Sequence, residues 1–458
     1  MNAQRICIIG AGPSGLTAAK NLADEGFTDV VIYDLGHQVG GNWVFDADSG
    51  HSSVFETTHI ISSKRFSQYE DFPMPEEYPD YPSHSQLAEY FQNYADAFDL
   101  HQYVRSRHLV EHCERRADGG WEVTVRNLRL DADDESARRT EVFDQLVVCN
   151  GHHWKPRWPD YPGEFTGRYI HSHDYKRAAP FDDERVLVIG GGNSACDCAV
   201  ETSRVSTRTD ISWRRGYWVV PKFLFGLPAD LLNYYMQEYL GFVPLEWRFK
   251  AVEGLLTLLH GPNSWYDLPE PDHDFGETHP LVNSELLYFI RHGEVQPRPD
   301  VERYDGRTVH FEDGSSAEYD SVIACTGFEI AHPFFDDDII DYSEGPVPLY
   351  LKMIHPQWDN LHFVGLIQPL GCIWPLAELQ AKIMARRLAG KWEAPEDLDA
   401  AIAEELENPH VEQLDTPRHT ITVDFLTFRD RLLEELPDPA ERISRAAAPH
   451  PPRSAAAR

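Results

Sequence analysis

The sequence predicts an α/β fold with two Rossmann-like dinucleotide-binding domains, because one strand-turn-helix signal occurs twice along the chain. The first copy reads RICIIGAGPSG and the second reads RVLVIGGGNSA. In each copy a short apolar run, typical of a buried parallel strand, leads into the glycines, and a helical pattern and a second apolar strand follow. A glycine triplet alone is a common turn, whereas the whole strand-helix-strand unit predicts a nucleotide site.

Three glycines and one acid give the first copy its chemistry. Gly10 permits the tight turn, Gly12 lets the backbone approach a pyrophosphate, and Gly15 lets the helix pack closely on the strand. The pyrophosphate would then lie on the helix amino terminus, where free N–H groups favour negative charge. Asp34 ends the second strand and can accept hydrogen bonds from a ribose diol, which suits FAD. The predicted FAD-binding residues of this turn are Gly10, Gly12, Pro13, Ser14, Gly15 and Asp34.

The second copy ends on arginines where the first ends on an acid. Asp34 follows Gly10 at a fixed offset. Counted from Gly190, the same offset falls on Arg214, with Arg215 beside it. Guanidinium groups suit a 2′-phosphate through charge-assisted hydrogen bonds, so we expect NADPH here. The alternative is a solvated arginine pair at a strand end. The predicted NADPH-binding residues are Gly190, Gly192, Asn193, Ser194, Arg214 and Arg215.

Two sites with opposite charge at the ribose end imply two cofactors and a hydride path between them. We expect residues 1–160 to form the first part of an FAD domain, 161–322 the NADPH domain, and 323–445 the second part of the FAD domain. A helical insertion rich in aromatic residues is predicted at about 221–285, as a lid or channel wall or as ordinary core. The Pro/Ala-rich tail, 446–458, is predicted to be disordered.

The stretch between the two copies predicts one helix and several strands. YPSHSQLAEYFQNYADAFDL predicts a helix, and HLVEHCERRADGGWEVTVRN and EVFDQLVVCNG predict strands around a turn, the last of which returns to the first sheet. The apolar side of the helix is formed by Leu87, Tyr90, Phe91, Tyr94 and Phe98.

Composition and charge exclude several function classes. The chain has 458 residues, of which 42% are apolar, enough for two or three domains with buried cores. Lys and Arg number 41 against 75 Asp and Glu, a formal net charge of −34, and such a surface repels nucleic acid and anionic membranes. Neither a membrane-spanning apolar run nor a signal peptide is recognisable. We therefore expect a cytoplasmic protein without a membrane anchor that does not bind nucleic acid.

A run just before the second glycine turn, EFTGRYIHSHDYK, resembles the fingerprint of the flavin-containing monooxygenases. Its matching positions are Phe165, Gly167, His171, Tyr175 and Lys176. Further similarities are GGNW, which follows the predicted ribose-binding residue Asp34, CTGF at 325–328 and the run FVGLIQPLGCIWPLAELQAK. The resemblance spans about residues 5–395. It implies further cofactor contacts at Gly41, Asn42, Trp43, Val110, Thr326, Gly327 and Gln368.

The resemblance also implies an activity. NADPH passes a hydride to FAD, and the reduced flavin captures O2 as a C4a-hydroperoxide that oxygenates a soft nucleophile, an amine nitrogen or a sulfide sulfur. The expected protein is thus an oxidoreductase with NADPH and O2 as co-substrates and a small organic molecule as substrate. Baeyer–Villiger oxygenation of a carbonyl compound is the alternative, although the fingerprint fits the amine and sulfide group better. For the oligomeric state, a homodimer is one open alternative. For His171 the resemblance implies a structural role near the NADPH cleft, whereas the residues alone predict interdomain packing.

One position departs from the family pattern. The family usually places an asparagine three residues before a lysine, ahead of an Asp-Phe-Pro run, and that side chain is thought to stabilise the oxygenated flavin. Here Lys64 and the run at 71–73 align, so the position is Ile61, which can neither donate nor accept a hydrogen bond. Ser62 and Ser63 are the candidate catalytic substitutes. A largely uncoupled NADPH oxidase that produces hydrogen peroxide is therefore a further alternative.

Two other classes share the two-dinucleotide plan. A disulfide reductase needs a redox cysteine pair near the flavin, and the seven scattered cysteines include no Cys-x-x-Cys. The same scatter predicts no disulfide framework and no zinc or other metal site. Cys196 and Cys198, two apart on a predicted helix, are expected to be buried small hydrophobic residues. A redox sensor would hold both cofactors without steady NADPH turnover.

Overall fold

The computed structural model describes residues 4–45, 50–131, 133–336, 339, 347–407 and 421–436. The predicted disordered tail, 446–458, lies outside the described residues. The first part of the chain contains β1 (Ile6–Ile9), α1 (Pro13–Asp24), β2 (Val30–Asp34), α2 (His84–Ala97), β3 (Val104–Ser106), β4 (His108–Arg115), β5 (Trp121–Asn127), β6 (Arg138–Phe143) and β7 (Gln145–Val148).

The second part forms another sheet and the insertion. Its elements are β8 (Lys155–Pro156), β9 (Arg168–His171), β10 (Arg185–Ile189), α3 (Asn193–Ser203), β11 (Arg208–Ser212), β12 (Val219–Val220), β13 (Phe223–Leu224), β14 (Leu227–Pro228), α4 (Ala229–Leu240), α5 (Leu245–His260), β15 (Leu281–Val282), α6 (Leu286–Arg291), β16 (Val295–Arg298), β17 (Val301–Asp305), β18 (Thr308–Phe311), β19 (Ser316–Glu318) and β20 (Ser321–Ala324). The last part contains β21 (Phe328–Glu329), β22 (Leu361–Phe363), β23 (Gln368–Pro369), α7 (Ile373–Leu388), α8 (Leu398–Glu407), β24 (Thr422–Val423) and α9 (Phe425–Glu434).

The first glycine unit lies in a five-stranded parallel sheet with the order β22-β7-β1-β2-β3. All residues of β1 are buried, as expected of a parallel strand that is covered on both faces. β7 pairs with β1 from Ile6 opposite Gln145 to Ile9 opposite Val148. This pairing confirms that the strand before Asn150 returns to the first sheet.

The second glycine unit repeats this plan in a sheet with the order β16-β11-β10-β20-β9, again parallel throughout. β10 has the place of β1, β11 that of β2, and β20 that of β7. The chain leaves the first sheet after Val148, builds the second between Arg168 and Ala324, and re-enters the first at Leu361. The predicted fold class, two Rossmann-like units in one α/β chain, is confirmed.

In both units a three-stranded antiparallel meander precedes the strand that pairs with the central strand, β7 in the first unit and β20 in the second. β4, β5 and β6 form the first, and β17, β18 and β19 form the second. The sequence predicted the first meander, although it read the last strand as one where the structure has two, β6 and β7, separated by Asp144. The second meander was not predicted, because its strands have only three to five residues and are partly exposed.

Helix α2 covers the first sheet as its pattern predicts. Ser83 caps its amino terminus in a capping box with Gln86, which satisfies two backbone donors. Its buried side chains include all those predicted for the apolar side, Leu87, Tyr90, Phe91, Tyr94 and, just beyond the helix, Phe98, and also Ala95.

A buried cluster of charges joins α1, α7 and the chain at 69–73. Lys20 on α1 contacts Asp71 and lies 3.3 Å from an oxygen of Asp24. Lys382 on α7 lies 3.3 Å from an oxygen of Glu378, and both side chains are fully enclosed. Three carboxyl groups thus meet two ammonium groups, so the cluster is neutral when it holds one more proton. Consistent with this count, burial raises the pKa of Glu378 to about 7.

This cluster predicts a pH dependence of stability that Glu378→Gln removes. Between pH 4.5 and about 7 the folded protein retains a proton on Glu378 that the unfolded chain releases, so stability falls as pH rises through this window. Thermal unfolding across it should show the wild type losing stability relative to Glu378→Gln. Glu393→Gln, at an exposed position, is the control and should follow the wild type. Parallel pH curves for wild type and Glu378→Gln would contradict the prediction.

The two helices of the insertion do not form a core layer. α4 contains no buried residue and α5 contains one, Leu256, whereas Leu268 and Leu281 of the same stretch belong to the core of the second unit. The base of the insertion is the short parallel pair β12 and β15. Within the described residues no helix combines the length and apolarity needed to cross a membrane. Large exposed apolar side chains of the insertion include Phe225, Tyr239, Phe242, Trp247, Leu258 and Trp265.

Candidate functional site

The first glycine turn is built so tightly that two of its glycines cannot carry a side chain. A Cβ on Gly15 would lie 1.9 Å from the carbonyl oxygen of Gly10. Gly10 itself has φ +105°, and a Cβ there would lie 2.5 Å from the carbonyl oxygen of Cys149. Gly12 differs, because a Cβ there would meet no described atom closer than 3.6 Å. Gly12 therefore leaves space at the amino terminus of α1, where the sequence predicts the pyrophosphate.

The first turn of α1 presents its backbone donors towards this space. No side chain of the described residues caps the helix, whose N-cap is Gly12. The Pro13 carbonyl accepts a hydrogen bond from the Tyr69 hydroxyl at 2.8 Å. Ser14 lies against the returning chain, since a Cβ on Gly365 would lie 2.1 Å from the Ser14 hydroxyl oxygen. The predicted residues of the first turn are thus brought together with the carboxy-terminal run.

Asp34 lies buried at the end of β2 beside the glycine turn. One carboxylate oxygen accepts a hydrogen bond from the Ala11 N–H at 2.5 Å, and the other accepts one from the Gly36 N–H at 2.6 Å. These bonds fix the carboxylate at the mouth of a small cleft, and each oxygen keeps a lone pair for a ribose hydroxyl. The cleft is lined by Asp34, Gly36, His37, Gln38, Gly41, Val44, His51 and Ser52.

The GGNW stretch folds over the first glycine turn. The Gly40 N–H donates to the Ala11 carbonyl at 3.0 Å, and a Cβ on Gly41 would lie 2.9 Å from the Cα of Gly12. The Asn42 side-chain oxygen accepts hydrogen bonds from the N–H and hydroxyl of Ser53, both at 2.8 Å, so this amide organises the loop. The Trp43 ring packs edge-on against Trp374, with 5.6 Å between ring centroids.

The second glycine turn has the same construction. A Cβ on Gly190 would lie 2.4 Å from the carbonyl oxygen of Cys325, whereas one on Gly192 would meet no described atom within 4 Å. α3 begins directly after Gly192 without a side-chain cap among the described residues. The Asn193 side-chain oxygen accepts a hydrogen bond from the Val282 N–H at 2.8 Å, and Ser194 is exposed.

The arginine pair lies one residue further along than the sequence offset suggests. In the first sheet Ile9 pairs with Tyr33, so Asp34 lies opposite Gly10. In the second sheet Ile189 pairs with Ser212, so the register counterpart of Asp34 is Trp213 and not Arg214. The equivalence of Arg214 and Asp34 is therefore wrong by one position, because α3 has 11 residues where α1 has 12.

Both arginines nevertheless lie at the carboxyl end of β11, beside the second turn. Arg214 is exposed, and neither Arg214 nor Arg215 makes an ion pair within the part of the chain that the structure describes. Arg215 lies over the Tyr217 ring, 5.5 Å from its centroid, and that ring packs on Gly191 of the turn. Two cations thus lie at the carboxyl end of β11, and the charge of Arg215 also acts on the carboxylate of Asp272.

The predicted residues Thr326, Gly327 and Gln368 lie where the chain passes between the two sheets, and each forms a hydrogen bond with the segment 152–157. The Thr326 hydroxyl donates to the Arg157 carbonyl at 2.5 Å, and the Arg157 N–H donates to the Gly327 carbonyl at 3.0 Å. The Gln368 side-chain oxygen lies 3.0 Å from a ring nitrogen of both His152 and His153. Burial lowers the pKa of His152, which keeps its imidazole neutral.

Val110 lies in β4, buried between the first meander and the first sheet. Its side chain belongs to that core, so only its backbone remains for a ligand contact.

The fingerprint residues connect the two units. Lys176 donates hydrogen bonds to the carbonyls of Ser52, at 2.5 Å, and His173, at 2.8 Å, which bridges a loop of the first unit and the second unit. Tyr175 is buried and packs on Phe55 of the first unit. Burial lowers the pKa of the enclosed His171 to about 4, so the imidazole is neutral. This geometry agrees with interdomain packing at the fingerprint.

Residues 61–73, which we call the cleft segment, run beside the first turn. Its contacts there are the Tyr69 hydroxyl on Pro13 and the Trp374 indole N–H, which donates to the Ser67 carbonyl at 2.5 Å. Trp374 lies in the carboxy-terminal run that resembles the family, but neither it nor Tyr69 was named as a site residue, because one aromatic residue among many carries no local signal. Trp374 also packs on Trp43 and so links the segment to the GGNW turn.

Within the cleft segment the three candidate positions differ in exposure. The Ile61 side chain is 41% exposed, whereas Ser62 and Ser63 are buried. The hydroxyl oxygens of Ser62 and Ser67 are 2.8 Å apart. The Ser63 N–H donates to a carboxylate oxygen of Asp230 at 2.5 Å. Neither hydroxyl takes the place of the Ile61 side chain, and a catalytic role of the two serines stays a prediction.

The atoms around both turns fit the pyrophosphate of a dinucleotide. Each turn leaves space where its middle glycine lacks a Cβ, and each is followed by an uncapped helix amino terminus. An acid lies beside the first turn, and beside the second lie two arginines that make no ion pair with any residue the structure describes. All seven cysteines are buried, Cys196 and Cys198 included, as expected of small hydrophobic residues.

Comparison with known proteins identifies the family. Residues 3–441 match the family model described as Flavin-binding monooxygenase-like. Flavin-containing monooxygenase 5 of Mus musculus is 33% identical over 455 residues, which cover 95% of this chain and 83% of that protein.

Solved structures share the fold. The S-allyl-L-cysteine S-oxygenase of Allium sativum has a TM-score of 0.68 at 23% identity, covering 96% of this chain and 91% of that chain. OTEMO in complex with FAD and NADP has a TM-score of 0.71 at 17% identity, covering 94% of this chain and 97% of that chain. Because the family match runs through both turns and almost the whole chain, this protein belongs to the flavin-binding monooxygenase-like family and is an oxidoreductase that uses FAD, NADPH and O2.

Proposed function

We propose that the protein is an FAD- and NADPH-dependent monooxygenase that places one oxygen atom of O2 on a soft nucleophile, an amine nitrogen or a sulfide sulfur. The observation that carries the proposal is the pair of open glycine turns, with a carboxylate beside one and guanidinium groups beside the other. The S-oxygenase with the same fold supports sulfide oxygenation, and the fingerprint supports the amine and sulfide group over ketones.

Each residue of the two turns has a proposed task. The N–H groups at the start of α1 would hold the FAD pyrophosphate where Gly12 leaves space. The Asp34 carboxylate would accept hydrogen bonds from the ribose hydroxyls. The start of α3 holds the NADPH pyrophosphate, and Arg214 and Arg215 bind the 2′-phosphate. Bound FAD supplies the redox chemistry and the activation of O2. Lys176 keeps the two units together, which excludes water from the cleft between them.

The test is product analysis with labelled oxygen. The purified protein with bound FAD is given NADPH, 18O2 and a panel of tertiary amines and thioethers, and mass spectrometry follows N-oxides and sulfoxides. We expect one labelled oxygen atom in the product of at least one compound. A ketone panel that alone yields labelled esters would favour the Baeyer–Villiger alternative. NADPH consumption without any labelled organic product would refute oxygenation.

A second candidate function, an NADPH oxidase that releases hydrogen peroxide, is favoured by one observation. Ile61 occupies the position where the family places a hydrogen-bonding asparagine, and its side chain is the exposed one of the three at 61–63. An isoleucine offers no donor to an oxygen species in the cleft. Peroxide formed per NADPH, measured with and without a substrate, distinguishes the oxidase from a coupled oxygenase.

Ile61→Asn is expected to shift the balance from peroxide to oxygenated product. A well-placed donor is worth up to ~3 kcal/mol once bound cofactor and substrate exclude water from the cleft, so the ratio of product to peroxide should rise by up to about a hundredfold. The exposed position tolerates the polar side chain without burying an unpaired amide. Ile61→Leu, which adds no donor, is the control. An unchanged ratio in Ile61→Asn would show that this position does not stabilise the oxygen species.

A further inference from the structure

Within the described residues, the insertion contacts the cleft segment through a hydrogen bond to Asp230 and through Arg65, which lies 6.0 Å from the centroid of the Tyr234 ring. Asp230 is the second residue of α4, and one of its carboxylate oxygens accepts a hydrogen bond from the Ser63 N–H at 2.5 Å. Ser63 is buried, so its N–H would otherwise be an enclosed donor without a partner, which is costly. The contact joins residues that are 167 positions apart in the sequence.

Both oxygens of the Asp230 carboxylate accept hydrogen bonds from backbone N–H groups. Its second oxygen accepts a hydrogen bond from the Leu231 N–H at 2.8 Å, and no ion pair to it occurs within the described ranges. The first turn of α4 has no side-chain cap among these residues, and the helix dipole favours a negative charge there. Burial raises the pKa of this half-buried carboxyl group, so its solvation is reduced at the contact. The carboxylate thus binds the backbone at Ser63 with one oxygen and the backbone at Leu231 with the other.

The other contacts described around Asp230 are made mainly by aromatic side chains. Tyr234, one turn further along α4, packs on Phe66 with 5.6 Å between ring centroids. Phe223 packs edge-on against Tyr81 at 5.3 Å, and the Tyr81 hydroxyl donates to the Lys222 carbonyl. Beyond these contacts α4 contains no buried residue and α5 contains one, Leu256, so little buried apolar area holds these helices in place.

The other side of the insertion is attached to the second turn. The Val282 N–H donates to Asn193, the first residue of α3, at 2.8 Å. The Asn283 side-chain amide donates to Asp197 on α3 at 2.9 Å. The insertion therefore spans from the NADPH-side helix to the cleft segment, and Asp230 is its polar attachment at the cleft end.

We propose that Asp230 is a positioning residue, which fixes the insertion on the cleft segment through the Ser63 N–H and thereby sets the backbone at 61–63 beside the first glycine turn. The consequence for catalysis rests on the proposed function, because it concerns closure of the oxygenation cleft. A fixed insertion keeps water out and holds the organic substrate, and a released one exposes the cleft.

Hydrogen exchange tests the attachment independently of activity. In the FAD-loaded protein, the peptide that contains Ser63 should exchange about tenfold or more faster in Asp230→Ala than in wild type, because the carboxylate bond to its N–H is lost. Asp230→Asn keeps a carbonyl acceptor and should restore most of the protection. Glu238→Ala removes an equal charge from an exposed position of the same helix and should exchange like the wild type. Peptides of β1 report whether the fold is intact in every variant.

Turnover tests the consequence. Asp230→Ala should raise the KM for the organic substrate and the peroxide formed per NADPH, while FAD content and the KM for NADPH stay unchanged. Asp230→Asn should return both values towards wild type. Unchanged exchange at Ser63 in Asp230→Ala would overturn the attachment, and faster exchange with unchanged KM and peroxide would overturn the positioning role. Absence of oxygenated product in the wild type would defeat the proposed function and leave the exchange result standing.

Discussion

Gly12→Ala is expected to abolish FAD binding while leaving the fold intact. The backbone at Gly12 has φ −73° and ψ −176°, which any residue adopts, and the added methyl group would lie 3.6 Å from its nearest neighbour, the Cα of Gly41. The methyl group therefore fits the protein and occupies the space that we assign to the pyrophosphate. An overpacked contact costs up to ~3 kcal/mol, which corresponds to a loss of over a hundredfold in FAD affinity.

The measurement is flavin absorbance of the purified protein, together with its thermal unfolding. Gly12→Ala should be colourless and should unfold cooperatively at the temperature of the wild-type apoprotein. Gly15→Ala is the matched control, because its methyl group would lie 1.9 Å from the Gly10 carbonyl oxygen and must displace backbone. That variant should lose stability as well as flavin. A yellow Gly12→Ala protein with wild-type FAD content would place the pyrophosphate elsewhere.

Arg214→Ala is expected to remove the preference for NADPH over NADH. Arg214 is exposed at the carboxyl end of β11 and makes no ion pair in the described part of the protein, so its guanidinium is available to a 2′-phosphate. A charge-assisted hydrogen bond is worth ~1.5–3 kcal/mol, and its loss should raise the KM for NADPH by roughly 10- to 150-fold. NADH lacks the phosphate, and its KM should hardly change.

Steady-state kinetics with both nucleotides checks this prediction. Gly192→Ala is the comparison variant, since its methyl group would meet no described atom within 4 Å and would fill the space proposed for the pyrophosphate that both nucleotides share. It should weaken NADPH and NADH alike. Arg215→Ala should have a smaller effect than Arg214→Ala, because Arg215 already lies on the Tyr217 ring. An equal effect of Arg214→Ala on both nucleotides would contradict the assignment.

Local chemistry explains why so much of the first turn was predictable. Gly10 and Gly15 must be glycine because backbone atoms of the same turn and of the adjacent strand occupy the space of a side chain. Such constraints act over a few residues and therefore leave a pattern in the sequence. The capping box of α2 is a signal of the same kind, formed by Ser83 and Gln86.

Register was less predictable than the motif. The offset from glycine to ribose residue is the same in both copies by residue count, yet pairing with the central strand places Trp213, not Arg214, opposite Gly190. A helix shortened by one residue leaves every local pattern intact and still moves each side chain of the following strand to its neighbour's place.

The sequence by itself determined the two Rossmann-like units, the central strands and the residues that make the turns tight. The reason is that backbone sterics and strand burial restrict which residue types can stand close together in the sequence. Only the tertiary structure decided that Asp230 holds Ser63, that Lys20 meets Asp71, and that Lys176 bridges the two units. The physical reason is that a polar side chain has no periodicity of its own, and its partner is fixed by the path of the chain between them.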